Sequence, residues 1–101
     1  MLSRSLPKPL DGSLGVERAQ ASFVLRQIRV PATPSHLQQV RDYVDDAAAD
    51  FGLGPTARYE TVFAVNEAAT NAIKHGSPYE DGTIRVQIEA DGDTLICSVY
   101  D

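Results

Sequence analysis

Apolar positions along this chain change period from one segment to the next, and each change marks an element. Over residues 21–30, ASFVLRQIRV, the apolar side chains Phe23, Leu25, Ile28 and Val30 alternate closely enough with the others to predict a strand with one buried face. The phase slips between Leu25 and Ile28, which predicts a β-bulge, and Pro31 predicts the strand's end. Leu37, Val40, Val44, Ala47, Ala48 and Phe51 then recur at spacings of three and four, the single apolar stripe of a helix. Thr33 is expected to cap that helix with its hydroxyl. Pro34 would take the first helical position, where a missing N–H leaves no bond unmade. Gly52 is the expected C-terminal cap, and GLGP at 52–55 reinforces the stop.

A second helical period runs from Thr56, an expected cap, to Lys74 or His75, with Gly76 ending it. At about 100° per residue, Val62, Val65, Ala69, Ala72 and Ile73 gather on one side. Glu60, Phe63, Glu67, Thr70, Asn71 and Lys74 gather on the other. After the loop at 76–82, Ile84, Val86 and Ile88 alternate with polar residues, as do Leu95, Cys97 and Val99. Asp91-Gly92 between them predicts a two-residue hairpin turn. Residues 1–20 are rich in Ser, Pro and Gly without sustained periodicity and are expected to form a mobile tail. The order strand, helix, helix, strand, strand over 21–101 predicts an α+β two-layer sandwich, with helices on one face of a mixed or antiparallel sheet.

Composition narrows the class of function. A chain of 101 residues holds one domain with one modest core. The formal net charge of -5 argues against direct nucleic-acid binding, although a local basic face stays open. No apolar run approaches the roughly 18–20 residues of a membrane span, and Pro7 and Pro9 interrupt the N-terminal stretch where a signal peptide would lie. The lone Cys97 excludes an intramolecular disulfide and is expected to be a buried thiol, which fits a reducing, cytoplasmic setting. Two histidines and one cysteine, far apart, lack the ligands of a structural zinc site. His36 is expected at the surface. Ser35 and Ser77 have nothing to distinguish them from other loop serines.

The polar side of the second helix carries the candidate chemistry. Glu67, Asn71 and Lys74 stand at i, i+4 and i+7 and so point the same way. A carboxylate can take a proton from a hydroxyl, an amide oxygen suits a hard cation such as Mg2+, and an amine neutralises phosphate charge. Together these groups suit phosphoryl transfer, where positioning and charge stabilisation supply most of the catalysis. Glu and Lys at this spacing also decorate many solvated helix faces, so spacing alone leaves both readings open.

The stretch VNEAATNAIKHG, residues 65–76, resembles the N-box of the GHKL (Bergerat-type) ATPase and kinase superfamily. Its EAATNAIKHG portion is most similar to the anti-sigma factor serine kinases of bacterial partner switching. The predicted layout of 21–101 is similar to the N-terminal part of that ATP-binding domain. The resemblance implies a serine/threonine protein kinase that transfers the ATP γ-phosphate to a serine of an anti-anti-sigma factor and so regulates transcription through a sigma factor. It implies Glu67 as general base, Asn71 as Mg2+ ligand bridging to ATP, and Lys74 and His75 near the nucleotide. His75 is equally well suited to complementing the dipole at the helix end. Asp101, closing SVYD after the last strand, matches the aspartate that hydrogen-bonds the adenine amino group. Homodimerisation is also implied, and Arg26, Arg29 and Arg41 fall where partner surfaces begin.

The sequence departs from the family's pattern after Asp101. The glycine-rich remainder of the adenine motif, the lid over the phosphates and the later strands are absent. The chain is therefore expected to represent the front half of the fold, with an unpaired sheet edge, completed by further residues or by another chain. The rival reading is a noncatalytic module that keeps this half-fold for dimerisation or sigma-factor binding. A histidine-kinase catalytic domain is a third, less favoured for want of an upstream phosphoacceptor helix.

Overall fold

The computed structural model describes residues 2–7, 22–76 and 82–101. Strand β1 (Leu2–Pro7) is followed by β2 (Ser22–Pro31), helix α1 (Leu37–Phe51), helix α2 (Pro55–His75), β3 (Thr83–Asp91) and β4 (Thr94–Tyr100). Strands β2, β3 and β4 form an antiparallel sheet, and β1 joins as a fourth strand, in the order β1-β4-β3-β2. The two helices pack on one face of this sheet, so the architecture is the expected α+β sandwich.

The core follows from the two periodicities. Ile84, Val86 and Ile88 on β3 meet Leu95, Cys97 and Val99 on β4, and all are buried against Val40, Val44, Ala47 and Ala48 of α1 and Val65, Ala69 and Ala72 of α2. Burying each large aliphatic side chain of this kind is worth about 1.5–3 kcal/mol. Cys97 is 4% exposed, and burial pushes its thiol up to about 12, so it stays protonated at neutral pH. Thr61 and Ala68 also lie inward, beyond the stripe read from the pattern. The Thr61 hydroxyl is satisfied by donating to the Ala57 carbonyl at 2.6 Å.

Several ends differ from expectation by a residue or two. Thr33 precedes a single 3-10 turn at Pro34–His36, and its hydroxyl meets His36 Nδ1 at 2.8 Å instead of capping the backbone. His36 is half-buried there, with Ser35 exposed beside it. Helix α2 is capped from Gly54, two residues before the expected Thr56, because Pro55 already has the φ a first helical residue needs. The hairpin turn is Gly92-Asp93, since Asp91 still pairs with Thr94. Gly92 has φ 62 while Asp93 has no positive φ, the signature of a turn with glycine at its first central position. Gly52, at φ 99, caps α1 as expected. In β2 the register shift falls between Val24 and Arg26.

The N-terminal strand is the main correction. Residues 1–20 read as a tail, yet Leu2–Pro7 pairs with β4 from Leu2↔Val99 to Pro7↔Thr94. Residues 8–21 lie outside the described part. Backbone hydrogen bonds make this pairing, so side-chain periodicity carries little trace of it. The groups it satisfies are those on the outer side of β4, the edge that the sequence reading left unpaired.

Candidate functional site

Helix α2 positions most of the candidate residues, and its inner face explains how. Val65, Ala68, Ala69 and Ala72 seat it on the sheet, and the small alanines bring its backbone close to β4. Glu67, Asn71, Lys74 and His75 are consequently exposed. The helix is tied to α1 by side-chain bonds. Arg41 donates from Nη1 to Asn66 Oδ1 at 2.9 Å, and Arg58 grips the Asp45 carboxylate with Nε at 3.1 Å and Nη2 at 2.9 Å. The hydrogen bonds from Arg58 hold the Asp45 carboxyl below its usual value. Near the sheet, Arg26 pairs with Asp50 at the end of α1. Arg26 and Arg41, expected near partner surfaces, are thus engaged within the fold, and Arg29 on edge strand β2 reaches Thr83 Oγ1 at 3.3 Å.

A cleft of about 200 Å3 opens where the end of α2 meets the end of β4, lined by Ala68, Asn71, Ala72, His75, Gly76, Val99 and Asp101. Three expected site residues, Asn71, His75 and Asp101, therefore share one concavity, although 30 residues separate Asn71 from Asp101. Ala68, Ala72 and Val99 supply an apolar wall, and Asn71, His75 and Asp101 supply the polar groups, the mixture small-molecule sites use.

Gly76 is what lets Asp101 in. A Cβ at that position would collide with the Asp101 carboxylate and come within 2.6 Å of the Ala72 carbonyl oxygen. The pattern identified Gly76 only as a helix terminator. Its φ of -85 and ψ of -173 are extended backbone open to any residue, so glycine here supplies room, not a left-handed turn. Only the packing of β4 against the helix end makes that role visible.

Glu67 borders a neighbouring depression of about 230 Å3, with Tyr59, Glu60, Phe63 and Ala64. It and Asn71 lie about 40° apart around the helix, so the carboxylate and amide stand between the two concavities. Lys74 is exposed and lines neither. Ser77 lies outside the described residues.

The residues present fit one end of a nucleotide. The Asp101 carboxylate can accept from an amino group beside an apolar wall, and the Asn71 amide oxygen is a neutral donor suited to Mg2+. Among the described residues, no group of three His, Cys, Asp or Glu is placed to hold a metal by protein ligands alone. Such a cation would need substrate phosphates and water to complete its shell, as Mg2+ commonly does. Among the described residues no helix is long and apolar enough to cross a membrane.

A family model described as a histidine kinase-like ATPase domain matches residues 30–101, from the end of β2 through Asp101. No curated protein matches the chain.

Proposed function

The chain belongs to the histidine kinase-like ATPase domain family, and from that premise we propose that it acts as the ATP-binding part of an anti-sigma-factor-type serine kinase. The convergence of Asn71 and Asp101 on one cleft, with Gly76 leaving room for the aspartate, is the observation that carries this reading. Asp101 would receive the adenine amino group against Val99 and Ala72. Asn71 Oδ1 would hold Mg2+, whose charge offsets that of the phosphates. Glu67 would take the proton of a serine hydroxyl as its oxygen bonds the γ-phosphorus, while the bond to the β-phosphate oxygen breaks and ADP leaves. The acceptor serine belongs to an anti-anti-sigma protein. The modification frees the domain to bind a sigma factor in the cytoplasm, with a homodimer as its working unit.

The rival reading is a noncatalytic module that keeps this fold for dimerisation or sigma-factor binding. Calorimetric titration of the chain with Mg·ATP separates the two. We expect saturable binding, weakened at least tenfold in Asn71→Ala. Glu67→Gln should retain that binding yet lose phosphate transfer to the serine protein in the ATP-competent protein. Absence of nucleotide binding in the chain and in any longer product containing it would leave the module.

A further inference from the structure

The depression beside Glu67 contains a feature that nucleotide chemistry does not use. Tyr59 and Phe63, one turn apart, stack with ring centroids 6.3 Å apart and planes 16° from parallel. They are 71% and 53% exposed, the large hydrophobic side chains that the described residues leave in solvent. The fold does not need them there. The inward positions of this stretch are Thr61 and Val65, so neither ring supports the core. Glu60, Ala64 and Glu67 complete the lining, which holds two carboxylates and no cation.

From this we propose that the Tyr59–Phe63 stack and Glu60 form the docking surface for the acceptor, an extended segment carrying Lys or Arg and an aliphatic residue beside the serine hydroxyl. The inference rests on the reading of Glu67 as the base. Charge selects the occupant. Two carboxylates repel nucleotide phosphates, nucleic acid and an anionic lipid surface, and a second copy docked symmetrically would set its own Glu60 and Glu67 against them. A cationic segment meets both carboxylates, and its guanidinium or ammonium groups find an aromatic face. Its aliphatic residue covers what the rings expose. Tyr59 to Glu67 spans about 12 Å of helix, at 1.5 Å per residue. About four extended residues cover that length, which brings a serine next to Glu67 while its neighbours lie on the rings.

The test is a titration of the isotope-labelled full chain with the peptide acetyl-Leu-Arg-Ser-Leu-Arg-amide, followed by amide chemical shifts. We expect shifts concentrated at residues 59–67 and binding weakened at least tenfold in Phe63→Ala and in Glu60→Gln. The peptide with Glu in place of Arg should not bind. Because Phe63 lies outside the Asn71 cleft, Phe63→Ala should leave both the thermal midpoint and Mg·ATP affinity unchanged. Shifts mapping elsewhere, equal binding of the acidic peptide, or a concentration-dependent dimer that Phe63→Ala abolishes would each overturn the proposal. Peptide docking at 59–67 without any Mg·ATP binding would remove the kinase reading and leave the surface. Mg·ATP binding without peptide docking would remove the surface alone.

Discussion

The two halves of α2 are built on opposite plans. From Pro55 to Asn66 the helix is held by long polar side chains: Arg58 on Asp45, and Arg41 on Asn66. Its outer side carries bulky rings. From Glu67 to Gly76 the packing residues shrink to Ala68, Ala69 and Ala72, the last position has no side chain at all, and a cleft opens beside the sheet. The first half spends its side chains on attachment, and the second clears space. A rigid anchor followed by an emptied stretch is what a site on a helix requires, because a cleft next to an unanchored helix would close or drift.

This contrast can be broken most severely from the inside of the second half. Ala69, with 0% exposure, has no room to grow, and Ala69→Leu should cost about 1–3 kcal/mol by overpacking, read as a lowered denaturant midpoint. Gly76→Ala comes next. Its methyl must displace the Asp101 carboxylate and strain against the Ala72 carbonyl, at about 1–2 kcal/mol. The same change should weaken Mg·ATP affinity at least tenfold, separating it from a purely structural lesion such as Ala69→Leu of similar cost. In the first half, Asn66→Ala removes the acceptor for Arg41 and should cost about 1 kcal/mol with nucleotide affinity retained.

The smallest effect concerns pH. Asp45 has a folded-state pKa below its unfolded one. The stability it contributes is therefore present above the unfolded value, near 3.9, and is lost as pH falls through the folded value. Its side chain and that of Arg58 are 40% and 37% exposed, so solvent screens the pair and the effect stays slight. Thermal melts from pH 6 down to pH 2 should show a small extra loss in the parent chain that Arg58→Ala removes.

Legibility in the sequence followed the range of the interaction. The core positions of α1, β3 and β4 were readable because burial repeats at the local period, as Val40 and Val44 or Ile84, Val86 and Ile88 show. Thr61 escaped because its hydroxyl hides on the Ala57 carbonyl, a local bond that lets a polar residue sit inside. The motif singled out Asn71, and the structure adds only which residues share its cleft. Val99 as wall and Gly76 as notch were not readable, since both roles arise only when β4 comes to lie against the end of α2. The pairing of Leu2–Pro7 was likewise silent, a backbone contact between distant parts of the chain.

That pairing also sets an order of assembly. Strands β3 and β4 meet across a two-residue turn and can zip within microseconds. Strand β1 must reach β4 over nearly the whole described chain, and closing so long a loop is entropically unfavourable until the partner strand is already in place. On the ribosome β1 therefore emerges before β4 and waits, its hydrogen-bonding groups open, until the residues that complete it are made.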